Sequence, residues 1–458
     1  MTRIERSTSP LSVNPLKASQ PVGGTLATLG FRGAVPLLHG AQGCTAFGKV
    51  YFVRHFNEPI PLQTTAIDPI SAVLGADDNV LGALDTLCGK SAPALITLLT
   101  TGLSEAEGTD IERLVRTFRE AHPEHAGTAV VPVNTPDFVG SLESGYAATV
   151  EAIIEHLVPE AASAGTRPGR AARQVNLLLS DAVSPGDAEA LCELLEAFGL
   201  EPVAIPDLGA SMDGHLEDGD FSPVTTDGTP LDALRECGNA AATVVVGASL
   251  HAAADRLRAR TGVPDYRFDH LMGLHATDRL VMVLCAIAGR EVPPPRVQRQ
   301  RRQLQDALLD THSVLGTTPV GVAAEADLLA GLTTLLHDAG AEVTTAVAPE
   351  RSPVLDGLPA GRVAVGDLEA LEHHGREDGV ELILGSGHAA ATAGRLGVPI
   401  LQCGYPIWER VGLHARPRVG YRGSRDTLFE LANTLLEHRE VHGDVRPYRS
   451  IYRSADAA

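Results

Sequence analysis

Paired cysteines are what this sequence most clearly lacks. Its 458 residues contain six cysteines, and none of them forms a Cys-x-x-Cys pair or follows a regular spacing. This absence excludes the usual zinc and ferredoxin frameworks and leaves no disulfide pattern, so we expect a reducing, cytoplasmic location. The six are Cys44, Cys88, Cys192, Cys237, Cys285 and Cys403.

Positive charge and long apolar runs are also scarce. The formal net charge is -20 at pH 7, whereas nucleic acids and anionic membranes are bound by clustered lysine and arginine. The longest uncharged apolar run, residues 280–289, covers about half of a membrane span. Residues 1–12 lack the apolar core of a signal peptide. We therefore expect neither a nucleic-acid partner nor a membrane partner.

Short apolar strands alternate with helical patterns and predict the fold class. Three pairs of strands each enclose a segment with apolar residues at helical spacing, as in Ile111, Leu114, Val115 and Phe118. The pairs are 94–99 with 128–133, 175–179 with 202–205, and 319–323 with 342–347. Further strands are predicted at 243–247, 362–365, 381–384 and 399–402. The prediction is an α/β protein of three Rossmann-like domains, each a parallel sheet flanked by helices.

Two segments rich in proline, glycine and arginine, residues 159–173 and 289–303, are predicted to be linkers. They divide the chain into an N-terminal tail (1–12) and domains at 13–165, 166–295 and 296–458. The four arginines between 296 and 302 could form a nucleic-acid patch, but the adjoining prolines and the acidic chain favour a solvated helix start. The turn-rich segment 207–229 is predicted to be a functional or mobile loop.

Residues 36–54 contain the best candidate site. Gly40, Gly43 and Gly48 surround Cys44, and missing side chains let the backbone approach a bulky partner closely. Backbone N–H groups there could face a charged inorganic group while the sulfur binds it. The alternative is an inert structural thiol. His39, beside the loop, is predicted to be a structural imidazole rather than a ligand.

Other candidates have simpler interpretations. Cys88, Cys192 and Cys285 lie in apolar helical patterns and are predicted to be small core residues. The Gly-Ser-Gly-His run at 385–388 resembles a phosphate-binding turn, but it lacks the full dinucleotide-binding spacing, so a plain strand-to-helix turn is preferred.

Six motifs together resemble the nitrogenase component 1 family, over about residues 13–437. They are Ala-Ser-Gln-Pro-Val-Gly-Gly at 18–24, His-Gly-Ala-Gln-Gly-Cys at 39–44, Arg-His-Phe-Asn-Glu-Pro at 54–59, Thr-Thr-Gly-Leu-Ser-Glu at 100–105, Asn-Thr-Pro-Asp-Phe-Val-Gly-Ser at 134–141, and Gly-Tyr-Pro-Ile at 404–407.

The sequence departs from the catalytic β subunit of that family, which supplies three cysteines to an eight-iron cluster at the αβ interface. Ser19 and Gly102 stand where two of those cysteines would be, and only Cys44 remains. This pattern resembles the β-type subunit of the scaffold that assembles the iron-molybdenum cofactor. The resemblance implies a [4Fe-4S] cluster shared with the partner subunit, with Cys44 as the metal ligand and Gly40 and Gly43 in the binding loop. A cubane needs about four protein ligands, so the others must come from elsewhere.

The resemblance also implies partners. They are a NifE-type α subunit in an α2β2 heterotetramer, which would hold most of the cofactor precursor, the nitrogenase iron protein as reductant, and apo-nitrogenase as recipient of the cofactor. Two rival functions stay open. One is a β subunit of a nitrogenase or of a related reductase of the chlorophyllide type. The other is a metal-free α/β binding module in which Cys44 is inert.

Overall fold

A computed structural model of the chain describes residues 4–6, 12–216 and 222–441. Most of the predicted N-terminal tail, the centre of the predicted 207–229 loop, and residues 442–458 lie outside the described residues. None of the helices in the described part has the length and hydrophobicity that a bilayer span requires.

The described residues form fourteen short strands. They are β1 Ile4–Arg6, β2 Ala34–His39, β3 Gln63–Thr64, β4 Leu95–Thr100, β5 Ala129–Val133, β6 Ala171–Leu179, β7 Glu201–Ile205, β8 Ala240–Val246, β9 Asp265–Phe268, β10 Pro319–Ala323, β11 Glu342–Ala348, β12 Arg362–Val365, β13 Leu382–Gly385 and β14 Ile400–Gln402.

The same residues form eighteen α-helices. They are α1 Gln20–Leu29, α2 Gln42–Phe56, α3 Ser71–Leu74, α4 Asp77–Ser91, α5 Gly102–Glu107, α6 Ile111–Ala121, α7 Leu142–Leu157, α8 Ala161–Ala164, α9 Pro185–Ala197, α10 Leu208–Ser211, α11 Leu231–Glu236, α12 His251–Thr261, α13 Leu274–Ile287, α14 Pro295–Leu315, α15 Ala326–Asp338, α16 Leu368–Asp378, α17 Ala390–Leu396 and α18 Gly420–Val441.

These strands form three sheets, and every pairing within them is parallel. The first sheet has the order β3-β2-β4-β5, the second β7-β6-β8-β9, and the third β1-β12-β11-β10-β13-β14. Each predicted β-α-β pair joins neighbouring strands of one sheet: β4 with β5, β6 with β7, and β10 with β11. The predicted fold class is therefore confirmed.

Burial of both sheet faces explains why the strands are continuous apolar runs. All six residues of β2 and all six of β4 are buried, as expected where helices cover both faces of a parallel sheet. Helix α6 buries Ile111, Leu114 and Phe118 against the first sheet. These are three of the four residues from which the sequence predicts that helix.

Two details differ from the prediction. Strand β1, in the segment predicted as a tail, pairs with β12, with Ile4 opposite Val363. Helix α14 begins at Pro295, so the second half of the predicted 289–303 linker is helical. The four arginines therefore lie in the first turns of a helix, as the preferred alternative predicted. The domain boundaries themselves stay a prediction.

Candidate functional site

The predicted site region after β2 meets the segments that follow β4 and β5 at the carboxyl edge of the first sheet. Strand β2 ends at His39 and β4 ends at Thr100, and these two residues are register partners. Strand β5 lies on the other side of β4 and ends at Val133. The chain leaves these strands toward Cys44, Gly102 and Asp137 respectively. Ligands of open parallel sheets bind at this edge.

Cys44 lies in the first turn of α2, not in an extended loop. The helix begins at Gln42 with Ala41 as its N-cap, and the Cys44 amide donates a hydrogen bond to the Ala41 carbonyl at 3.2 Å. The chain turns from strand to helix within two residues, 40 and 41, which corrects the prediction of a loop around the sulfur. All six cysteines are within the described residues, and Cys44 is the only exposed one.

The thiol of Cys44 is held in its protonated form by its surroundings. Although the residue is exposed, partial burial of the sulfur raises the pKa of the Cys44 thiol, and the negative charge of Asp137 raises it further. A bound metal ion reverses this preference, because metal coordination displaces the thiol proton. In the absence of a metal, Cys44 is therefore not an activated nucleophile.

A cavity of about 320 Å³ opens beside Cys44. Two of the three positions at which the resembled catalytic subunit carries cysteines, Ser19 and Cys44, line it, and the third, Gly102, follows the lining residue Thr101 in the sequence. The lining residues are Ser19, Pro21, Val22, Thr25, Leu38, Gly43, Cys44, Phe47, Gly48, Thr101 and Asp137. Most of the wall is apolar, and Cys44 is the one cysteine among the lining residues.

The two glycines predicted to belong to the site have different surroundings. A Cβ atom on Gly40 would lie 2.7 Å from Thr101 Oγ1 and 2.8 Å from Thr101 Cγ2, so Gly40 is needed for packing beneath the cavity. A Cβ atom on Gly43 would meet no atom within 4 Å. Of the two, only Gly43 lines the cavity. The space above Gly43 is therefore available to a bound group.

Asp137 is a site residue that the sequence argument did not single out. Its carboxylate accepts a hydrogen bond from the Gly102 amide at 2.8 Å and lines the cavity. A Cβ atom on Gly102 would lie 3.2 Å from the same carboxylate oxygen. Its position in the sequence could have predicted this role, because Asp137 lies four residues after the apolar strand 128–133, at the sheet edge where ligands bind.

His39 is fixed as a structural imidazole. It is fully buried, its Nδ1 lies 2.9 Å from Thr65 Oγ1, and its carbonyl accepts a hydrogen bond from Thr101 Oγ1 at 2.9 Å. Burial lowers the pKa of His39 to about 4, so the ring is neutral at pH 7. The predicted structural role agrees with these contacts.

An exposed apolar face adjoins the cavity. Phe47, Val50 and Val53 are spaced three residues apart on α2 and are 59%, 54% and 41% exposed. Residues three apart lie on the same side of a helix. Phe138, next to Asp137, is 67% exposed. We call Phe47, Val50 and Val53 the α2 face; apolar surface of this kind indicates a protein-protein contact.

Two of the three cysteines predicted to be core residues, Cys88 and Cys285, are buried in hydrophobic cores. The third, Cys192, is half-buried and packs against a core from its edge. The run at 385–388 is a strand-to-helix turn, because β13 ends at Gly385 and a 3-10 helix begins at Gly387. Glu409 Oε2 would lie 2.7 Å from a Cβ atom on Gly387, and this carboxylate disfavours a phosphate there.

A separate group of buried carboxylates connects α7 with the segments that follow β8 in the second sheet and β10 in the third sheet. Glu143 Oε2 accepts a hydrogen bond from the Asp327 amide at 2.7 Å, and Asp327 Oδ1 accepts one from the Ala248 amide at 3.0 Å. Burial raises the pKa of Asp327 to about 6 and that of Glu325 to about 8. Backbone N–H groups at helix N-termini favour the charged form of these acids, but burial outweighs those hydrogen bonds and raises both pKa values.

Comparisons with known proteins identify the family and the fold of the chain. The sequence profile of the family described as nitrogenase component 1 type oxidoreductase matches residues 19–436. A nitrogenase iron-molybdenum cofactor biosynthesis protein NifN from Klebsiella pneumoniae is 46% identical over 99% of this chain and 96% of its own length. The protein of the same name from Bradyrhizobium diazoefficiens is 41% identical over 98% of this chain and 95% of its own length. A solved structure described as nitrogenase Cp1 at pH 6.5 superposes with a TM-score of 0.88 at 26% identity, covering 98% of both chains.

Proposed function

Because this chain belongs to the family of nitrogenase component 1 type oxidoreductases, we propose that it is the β-type subunit of the scaffold on which the iron-molybdenum cofactor precursor matures. In this proposal the cavity beside Cys44 forms one half of a [4Fe-4S] site, and a NifE-type α subunit forms the other half. The names of the full-length relatives support the cofactor-biosynthesis role.

The observation that carries the proposal is the donor set of the cavity. One cysteine lines it, and the two other positions at which the resembled catalytic subunit has cysteines are Ser19 and Gly102. An eight-iron cluster with three thiolates from this side does not fit these residues. A smaller cluster that takes one thiolate here and the others from a partner does fit, because cubane clusters need about four ligands in total.

The cavity has the properties that a shared site requires. Its volume of about 320 Å³ and the unobstructed space above Gly43 leave room for an inorganic group. Its rim continues into the α2 face, which a partner subunit would cover. A bound [4Fe-4S] cluster would supply one-electron transfer between the iron protein and the maturing precursor.

The residues of this chain have separate tasks in that site. Cys44 would hold the cluster through its sulfur after losing its proton. Pro21, Val22 and Phe47 would exclude water, and a dry, low-dielectric surround tunes the potential of a cluster. Asp137 fixes the position of Gly102 through its hydrogen bond to the amide.

The partners and location follow the same proposal. The α subunit would hold most of the precursor, the iron protein would dock on the αβ pair, and apo-nitrogenase would receive the finished cofactor. The pairs would assemble as an α2β2 heterotetramer in the cytoplasm. The rival function as a catalytic β subunit is disfavoured by Ser19 and Gly102, and the metal-free module by the exposure of Cys44 at the cavity.

The test uses the chain co-expressed with its NifE-type partner. We expect about four iron atoms per αβ pair and the EPR signal of a reduced [4Fe-4S] cluster in the wild type. Cys44→Ala should retain the fold and the partner but lose iron or cluster stability, because one covalent ligand is gone. The matched control is Cys285→Ala, which should keep full iron but lower the unfolding free energy by about 1 kcal/mol through a core cavity.

Two results would contradict the proposal. One is a purified wild-type pair that contains neither iron nor sulfide under anaerobic conditions. The other is a Cys44→Ala pair with full iron and an unchanged EPR signal, which would make Cys44 an inert thiol in the first turn of α2.

A further inference from the structure

We propose that Asp85, His122 and His125 form a binding site for a divalent first-row transition metal ion, separate from the cavity beside Cys44. His125 Nε2 lies 3.1 Å from Asp85 Oδ1, and His122 Nδ1 lies 3.6 Å from the same oxygen. The three ligand atoms all lie within 4.8 Å of one another. Glu124 Oε1 lies 3.0 Å from His122 Nδ1 but is outside this group of three ligand atoms.

These spacings suit a shared metal ion. Zinc-to-ligand bonds of about 2.0–2.1 Å in tetrahedral geometry place neighbouring ligand atoms about 3.3 Å apart. The two distances from Asp85 Oδ1 to the imidazole nitrogens, 3.1 and 3.6 Å, bracket that value. Two imidazoles with carboxylate oxygens form a donor set that suits zinc, iron, cobalt, nickel or copper better than calcium or magnesium.

The two imidazoles are held in place before any metal binds. The ring of His122 stacks on Phe118 at a centroid distance of 5.0 Å, and the ring of His125 stacks on it at 6.0 Å. Phe118 is fully buried. The amide of His122 donates to the Phe118 carbonyl, and that of His125 donates to the His122 carbonyl. Ligands that packing already orients lose little freedom on binding.

Arg119 is the cationic residue nearest in sequence to the two histidines, and its guanidinium binds backbone carbonyls rather than the ligand atoms. Arg119 NH1 donates to the His125 carbonyl at 3.1 Å, and its other terminal nitrogen donates to the Thr128 carbonyl. The guanidinium therefore braces the backbone around the site. The side chains of Asp85 and Glu124 are 54% and 59% exposed, and those of His122 and His125 are 31% and 17% exposed, so a metal ion can reach them from solvent.

This site lies at the opposite end of the first sheet from the cavity. His122 and His125 precede β5 and so flank the amino ends of the strands, whereas Cys44 follows the carboxyl end of β2. Strand β5 is five residues long, so the two ends of the sheet, and with them the two sites, are about 16 Å apart along the strand direction. The site and the cavity can therefore be loaded and tested independently.

The probe for the test is Co²⁺, titrated into the purified full-length chain after removal of adventitious metal with a chelator. We expect one ion per chain with visible d–d bands and without a thiolate-to-cobalt charge-transfer band, which would instead signal Cys44. Asp85→Asn and His125→Gln should each weaken binding by about tenfold or more. The matched control is His373→Gln, which alters an exposed His373–Glu377 pair on α16 and should leave the affinity unchanged.

A second readout separates binding from folding. Zn²⁺ should raise the thermal midpoint of the wild-type chain and of His373→Gln, because a ligand that binds only the folded state stabilises it. The midpoint of Asp85→Asn should not respond. Asp85 is exposed, so this variant is informative even if His125→Gln folds poorly. Equal Co²⁺ affinity in the wild type and Asp85→Asn, or no binding up to millimolar Co²⁺, would overturn the proposal and leave a hydrogen-bonded surface cluster.

Discussion

The two glycines beside Cys44 allow packing and cluster binding to be separated by experiment. Gly43→Ala adds a methyl group where no atom lies within 4 Å. Gly43 is also in the first turn of α2, so the loss of backbone freedom in the unfolded chain should raise the unfolding free energy by up to about 1 kcal/mol. The same methyl group would intrude on the cavity. We therefore expect a variant that is at least as stable as the wild type but holds less iron in the αβ pair.

Gly40→Ala should have the opposite effect on stability. The added Cβ atom would lie 2.7 Å from Thr101 Oγ1, and Thr101 is a buried, β-branched residue that cannot swing away cheaply. Thr101 also caps α5 and donates to the His39 carbonyl at 2.9 Å. Crowding of this kind in a packed interior costs about 1–3 kcal/mol.

Both variants would be compared with the wild type by urea unfolding of the chain and by iron analysis of the pair. Full iron and an unchanged cluster EPR signal in Gly43→Ala would show that the space above Gly43 is not used by a cluster. A Gly40→Ala variant as stable as the wild type would show that Thr101 does not crowd the added methyl group. A loss of iron in Gly43→Ala that accompanies a loss of stability would also count against the cavity argument, since misfolding would then explain it.

Three further predictions concern other parts of the molecule. Burial raises the pKa of Glu325 from 4.5 to about 8, so between these pH values the folded chain retains a proton that the unfolded chain releases, and the unfolding free energy should fall as pH rises. Glu325→Gln should reduce this fall by at most about 1.4 kcal/mol per pH unit, measured by urea unfolding across the range. An unchanged slope would contradict the raised pKa. Phe47→Ala on the α2 face should weaken co-purification with the α subunit, whereas Leu309→Ala, which alters an even more exposed apolar side chain on α14, should not. Equal loss in both variants would contradict a specific interface at the α2 face. Paired with a catalytic α subunit and the iron protein, this chain should yield no ammonia, because Ser19 and Gly102 are not thiolates, and measurable ammonia would favour the catalytic rival.

The sequence alone determined the local elements of this fold. The predicted strand at 319–323 matches β10, and the one at 362–365 matches β12, residue for residue. The spacing of Ile111, Leu114 and Phe118 predicted the buried side of α6. The strands are short apolar runs and the helix has a period of 3.6 residues, and both patterns can be recognised within a short window without knowing what packs against them.

The tertiary structure decided which local elements meet. Strand β1 is three residues long, and its pairing with β12 joins residues 4 and 363. A pattern within a short stretch of sequence cannot predict a contact between residues so far apart. The position of Asp137 beside Gly102, and the different surroundings of Gly40 and Gly43, likewise depend on how β2, β4 and β5 align. The motif around Cys44 was enough to predict this residue as a candidate ligand from the sequence. The cavity beside it exists because three strands end at one edge of the sheet, and only long-range packing brings those ends together.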